Sequence, residues 1–434
     1  MKKIGLMALL VFLTQTMALG QVFSLKQCID YALSNNGNIK IGHYDESMAQ
    51  KKVNEQIGTM LPQIAASGSI DDNLKVATQL MPGELFGNPG SFVPVQMGTK
   101  YSVSAGVQVD QKIYDQTFWV GLKAAGISRN QSRLNLQKIK EQTVYSVSRT
   151  YYQTLVIQKQ SNVLKATIDA LTQSLKATEL KCSNGLTKKI DVDKVRVSFN
   201  TTQSQLQQTE LSYKQSLNNL KYQMGMPLDS TIFMTDGLLN LDSESIEKEP
   251  KNDNYHENRI DYQLQKTNLQ LQEADRSRNL AAYLPSLSFN AKYNYQAMPS
   301  DLNSDMTWYD NSSIGLRLSI PLFDGLQKSA RLAQSKLSIE KAKENITLTE
   351  QSIKVDVSNY EIQYRNAIDN IKSEKENLSL AEDVYTNTRL EYQQGTSSSF
   401  DLVQAESSLR ETQENYFNRL LNLFIARLDL EQSK

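Results

Sequence analysis

The sequence predicts an α+β fold in which a membrane β-barrel, shared between protomers with four strands from each chain, continues as a long α-helical coiled-coil barrel. Three observations predict it. The chain is duplicated at a period of roughly 210 residues, so each copy is a half-protein rather than a solenoid unit. Leu61-Pro62, Tyr114-Asp115, Gly185 and Asp191 recur as Leu284-Pro285, Phe323-Asp324, Gly395 and Asp401. Four segments alternate apolar and polar residues with period two. Two proline-free tracts of about 70 residues each are far longer than a globular domain needs, on the order of 100 Å as helix.

Residues 1–20 read as a cleaved signal peptide, with Lys2-Lys3, an apolar core from Ile4 to Leu13, and Ala18-Leu19-Gly20 before the cut near Gly20. The first repeat is 21–224, with a helix at 26–60, strands at 62–72 and 101–113, and helices at 116–182 and 187–224. A polar, irregular stretch at 225–257 reads as an equatorial linker between the halves. The second repeat is 258–434, with a helix at 258–284, strands at 286–297 and 312–321, and helices at 326–394 and 398–432.

The strands face two environments. Tyr101, Val103, Ala105, Val107 and Val109 alternate with Ser102, Ser104, Gly106, Gln108 and Asp110. Leu287, Phe289, Ala291, Tyr293 and Tyr295 oppose Ser288, Asn290, Lys292, Asn294 and Gln296, and Ile314, Leu316, Leu318 and Ile320 oppose Ser313, Gly315, Arg317 and Ser319. The segment Ile64–Ile70 is a weaker version of the same pattern. Strands of about ten residues match a tilted crossing of a bilayer, and outer-membrane lipid then covers the apolar face. Tyr114, Phe118, Trp119 and Phe323 mark one rim and Trp308 and Tyr309 the other, as aromatic girdles do. Four strands cannot close a barrel, and open edges are not tolerated in lipid, so several copies must share it. The loop at 73–100 is long and rich in proline and glycine, whereas 298–310 is short.

In the tract from Leu326 to Gln394, residues 339, 342, 346, 353, 357, 360, 364, 367, 371, 378, 381 and 385 form an apolar stripe with steps of three, four or seven. Leu348, Val355 and Ile362 add a second stripe, which suits a ring of helices. Ser183-Asn184-Gly185 and Gly395-Thr396-Ser397 are turn chemistry, with glycine placed for a left-handed helix end.

On these residues the mature chain resembles the TolC family of outer-membrane efflux proteins. The resemblance is carried by Ser24 to Ile29 with Ala32-Leu33 and Asn36, by both Leu-Pro pairs, and by Arg259-Ile260-Asp261. Pro321 to Gly325, and Tyr392 to Thr396 with Asp401-Leu402-Val403, complete it. It implies a homotrimer with a twelve-strand barrel and a twelve-helix periplasmic tunnel, working with a periplasmic adaptor protein and an inner-membrane pump or ABC exporter. It implies that the tip turns at Gly185, Leu186, Gly395 and Thr396 meet the adaptor, and that Asp401 rings the periplasmic constriction. Carboxylates converging there would raise one another's pKa and attract cations. The family's second ring aspartate is here Gln404, and its lock arginine is here Ser397, facing Asp191. Tyr392 and Asp191 are the remaining hydrogen-bond candidates, and helix capping is the plainer role for Asp401 and Asp191.

Nothing in the sequence predicts catalysis. His43 and His256 stand outside any carboxylate or cysteine cluster, and no phosphate loop, nucleophile elbow or zinc spacing occurs. Met81, Met97, Met298 and Met306 are scattered loop residues, Cys28 and Cys182 define no disulfide, and no cofactor is expected. Balanced charge, 47 basic and 47 acidic residues, argues against a nucleic-acid partner. The functional expectation is a passive exit duct; a non-transporting envelope scaffold or coiled-coil structural protein is the alternative.

Overall fold

The structure, a computed structural model, describes residues 21–87, 89–234, 255–301 and 306–433. The predicted signal peptide and the middle of the predicted linker lie outside these residues. In order the elements are β1 (Gln21–Phe23), α1 (Leu25–Asn35), α2 (Gly37–Gly58), β2 (Gln63–Asp72), β3 (Thr78–Pro82), β4 (Phe92–Gln96) and β5 (Tyr101–Tyr114). Then come α3 (Gln116–Ser183), α4 (Lys189–Met224), β6 (Ile232–Met234), α5 (Ile260–Ala281), β7 (Ser286–Ala297), β8 (Trp308–Ser319), α6 (Gln327–Gln394) and α7 (Ser399–Ser433). The chain divides into two compact units, residues 46–132 with 265–345, and residues up to 45 with 133–264 and 346–434.

The first unit holds a four-stranded sheet in the order β2-β5-β7-β8, antiparallel throughout. Its register aligns the alternation of all four strands. Ile64 faces Val109, which faces Ala291, which faces Ile314; beside them run Ala66, Val107 and Tyr293. The opposite face carries Gln108, Lys292 and Ser313 in one row and Gly106, Asn294 and Asn311 in the next. Period-two patterning therefore builds one largely apolar face, interrupted on β8 by Asp310 and Ser312, and one largely polar one. Among the described residues nothing covers the apolar face: Ile64 is 70%, Ile314 79% and Leu316 68% exposed. Tyr295 and Trp308 stack on that face at 5.2 Å between ring centroids, at its outer end. Among the described residues the edges β2 and β8 have no further partner strand.

The second unit is helical. Two helices of 68 residues, α3 and α6, contribute most of their length to it, and α4 and α7 return beside them. The predicted stripe on α6 is the buried one, with Ile353 and Val357 packed against Tyr262, while Leu348, Val355 and Ile362 lie exposed on a single chain. Near the start of the chain, Phe23, Cys28, Ala32, Val147, Tyr151, Leu220 and Met224 form the largest core cluster. Among the described residues no helix is long and apolar enough to cross a membrane.

Several boundaries differ from those predicted. The helix expected at 26–60 is two, broken at Asn36, whose Oδ1 accepts from the Asn38 and Ile39 amides and starts α2 as an N-cap. Its Nδ2 donates to the Gln223 carbonyl at 2.6 Å, tying the break to the end of α4. The loop at 73–100 contains the hairpin β3–β4, hidden in the sequence by the brevity of its strands and by Pro82 and Pro94. The linker opens with β6, paired in parallel to β1, so it is not wholly irregular. The last strand runs from Trp308 to Ser319 rather than 312–321, because pairing with β7 extends to Ala297 and Pro321 cannot continue it.

Candidate periplasmic gate

The two hairpin tips, α3–α4 and α6–α7, are built alike. In the first, the Leu186 amide donates to the Lys181 carbonyl and Gly185 sits at φ +73°. In the second, the Thr396 amide donates to the Glu391 carbonyl and Gly395 sits at φ +83°. This is the Schellman pattern, in which a left-handed residue lets amides reach back to orphan carbonyls. Leu186 and Thr396 are exposed at the turns.

The returning helices open with matching acidic residues. Asp401 Oδ2 accepts from the Ser398 amide at 3.1 Å and the Ser398 hydroxyl at 2.6 Å, and Ser397 Oγ donates to it at 3.3 Å. Asp191 Oδ2 accepts from Thr187 Oγ1 at 3.0 Å, the equivalent position in the first copy. Both are thus third residues of their helices reaching back to the cap, the plainer role anticipated for them. The Ser398 hydroxyl and amide hold the Asp401 carboxyl below its ordinary range. Within one chain this runs opposite to the rise expected from converging carboxylates, because its nearest partners are donors rather than other acids.

The cross-hairpin contacts use partners other than those predicted. Ser397 does not face Asp191; it serves Asp401, and Ser399 Oγ donates to Asp191 Oδ1 instead. Tyr392 does not meet Asp191 either. Its hydroxyl shares a 2.8 Å hydrogen bond with Thr178 on α3, and Lys181 Nζ donates to its carbonyl at 3.0 Å while lying 4.8 Å from the ring centroid. Gln404 is exposed. The Ser399 hydroxyl is the leading cause of a lowered Asp191 pKa, with Thr187, the Lys188 amide and Lys194 at 3.7 Å adding to it.

Deeper along the same hairpins lies a group the sequence reading did not single out. Glu406 is 2% exposed and accepts from Ser198 Oγ at 2.6 Å through Oε2. Its Oε1 is 3.9 Å from Arg410 and has no hydrogen-bond partner. The signal was present: Leu402, Ala405 and Leu409 define the buried stripe of α7, and Glu406 falls on it.

A bare apolar sheet face, two open strand edges and two helical hairpins closed by turns define a protomer of a shared barrel with a helical extension. The family model described as "Outer membrane efflux protein" matches residues 28–226 and 254–433. The chain belongs to that family. "Outer membrane protein TolC" of Vibrio cholerae is 22% identical over 340 residues, 76% of each chain. A membrane protein of Pseudomonas aeruginosa of solved structure superposes with a TM-score of 0.74 at 16% identity, over 94% of this chain and 93% of that one. CusC, whose title concerns transmembrane channel formation, gives 0.73 at 18% identity over 94% and 91%. The fold is shared with both of these proteins.

Proposed function

We propose that this chain is the outer-membrane exit duct of a tripartite efflux or type I secretion system, a passive channel-tunnel assembled as a homotrimer. The observation that carries it is the uncovered apolar face of the β2-β5-β7-β8 sheet above a polar face of Gln108, Lys292, Asn294 and Asn311. One face suits lipid and the other a water-filled lumen. Three copies would join β2 to β8 of a neighbour and close twelve strands. The signal peptide, cut near Gly20, brings the chain to the envelope.

In this reading the hairpin tips close the periplasmic end. Gly185, Leu186, Gly395 and Thr396 form the surface offered to a periplasmic adaptor, and an inner-membrane pump or ABC exporter selects the cargo. Asp401 supplies an acidic ring with Gln404 beside it, and two separate contacts, Asp191 with Ser399 and Tyr392 with Thr178, tie the two hairpins together. No step in this role breaks or makes a covalent bond.

Planar-bilayer recording tests it. The purified oligomer is expected to give stepwise current favouring cations, and Asp401→Asn to reduce that preference and the block by divalent cations. A silent oligomer supports an envelope scaffold instead; an unchanged selectivity removes Asp401 from the constriction.

A further inference from the structure

Three bonds join α4 to α7 near the tips, and each connects residues 208 positions apart: Asp191 with Ser399, Ser198 with Glu406, and Thr202 with Arg410. The two helices therefore run in register along one seam, about 16 Å from the first bond to the last. Farther from the tips the packing of α7 turns apolar, with Phe417, Leu420 and Phe424 gathered around Val156 of α3.

The two charges of α7 on this seam are each matched to a neutral hydroxyl of α4. Glu406, almost wholly buried, accepts from Ser198 through Oε2 alone. Arg410 stands one turn along the same helix with Nη1 3.9 Å from Glu406 Oε1, too far for a hydrogen bond. It donates to Thr202 at 3.2 Å instead. Burial of a carboxylate is costly unless it is paired and fully hydrogen-bonded, and one hydroxyl supplies a single bond and no opposite charge. On α7 alone, Glu406 and Arg410 are four residues apart with the acid first, the favourable order for a helical ion pair.

We propose that Glu406 acts as a spring in the α4–α7 seam: joined hairpins keep its carboxylate buried and half-partnered, and separation relieves it through hydration and Arg410. The links between Asp191 and Ser399 and between Thr178 and Tyr392 hold the tips shut against it. The apolar cluster at Phe417 marks where separation ends, because parting it would expose hydrophobic area. The inference rests on the gated-duct reading.

The sign of two substitutions distinguishes a spring from an ordinary strut. A strut cut at either end gives way, so Ser198→Ala and Glu406→Gln would both favour opening. A spring answers in opposite directions: losing Ser198 leaves the buried charge worse partnered, whereas glutamine keeps an acceptor for Ser198 and removes the charge.

Single-channel recording of the full-chain oligomer tests this in two backgrounds, with light scattering to check that the oligomer persists. In wild type, Ser198→Ala is expected to raise the open fraction at least three-fold. In the Asp191→Ala, Tyr392→Phe variant, whose cross-hairpin links are removed, Glu406→Gln is expected to lower it at least three-fold. Glu406→Met, which fills similar space without charge, is expected to do the same and serves where the glutamine variant does not assemble. An open fraction that rises or stays level on neutralising Glu406, or that does not respond to Ser198→Ala, overturns the spring while leaving the duct intact. An oligomer silent in every variant overturns the duct reading and the spring with it.

Discussion

Thr178 on α3 and Tyr392 on α6 share a hydrogen bond, hydroxyl to hydroxyl at 2.8 Å, with both side chains shielded from water. The Thr178 hydroxyl also donates to the Ser174 carbonyl at 2.7 Å. Together with Ser399 and Asp191 it links the two hairpins of one chain at two points.

Lys181 reinforces the first point by donating to the Tyr392 carbonyl and lying over its ring. Lys181→Met removes both contacts, worth about 1 kcal/mol at a partly exposed site. Cells carrying it are expected to admit a large glycopeptide antibiotic about five-fold more readily than wild type. Killing curves measure this.

The second point depends on pH in a definite direction. The folded state holds the Asp191 carboxyl below its ordinary value of 3.8, so its contribution is fully present above that value. It is lost as pH falls through the lower folded value. Tip closure is therefore expected to be flat from about pH 5 to 8 and to weaken only in stronger acid. Cross-linking efficiency between cysteines placed at Thr187 and Ser397, followed against pH, reports it; a midpoint near neutrality would assign the control to another group.

Glu406→Ala strips the Ser198 hydroxyl of its acceptor and leaves Arg410 beside a void. The expected cost is about 2–3 kcal/mol, as for a buried hydrogen bond to a charged group. Glu406→Gln keeps an acceptor for Ser198 and is expected to lose less. Thermal unfolding of the detergent-solubilised oligomer ranks the two.

Gly225 ends α4 at φ +73°, and a Cβ there would stand 2.5 Å from the Asn35 carbonyl oxygen. Backbone, rather than a flexible side chain, blocks it. Gly225→Ala is expected to cost more than about 3 kcal/mol and to cut the yield of assembled protein in the outer membrane severely. Immunoblots of membrane fractions decide it.

Much of this was legible in the sequence, for identifiable reasons. Strands between two environments must alternate, so Val103 to Val109 and Leu287 to Tyr295 revealed their sheet. The long helices carry a seam such as Ile353 and Val357, and the tips need glycine. What escaped was set by neighbours rather than by local pattern. Ser397, Ser398 and Ser399 are chemically alike, and only helix phase decides that Ser397 and Ser398 donate to Asp401 while Ser399 crosses to Asp191. Thr178 looks like any polar residue of a solvated helix until Tyr392 arrives. The pairing of β1 with β6 spans three residues each, too few to show a period.

The most direct test is the single-channel conductance of the Asp191→Ala, Tyr392→Phe double variant beside wild type. If the tips of a duct are held shut by these links, wild type conducts weakly and the double variant several-fold more, with the same oligomer mass. Equal conductance in the two, or no current in either, would contradict a gated exit duct.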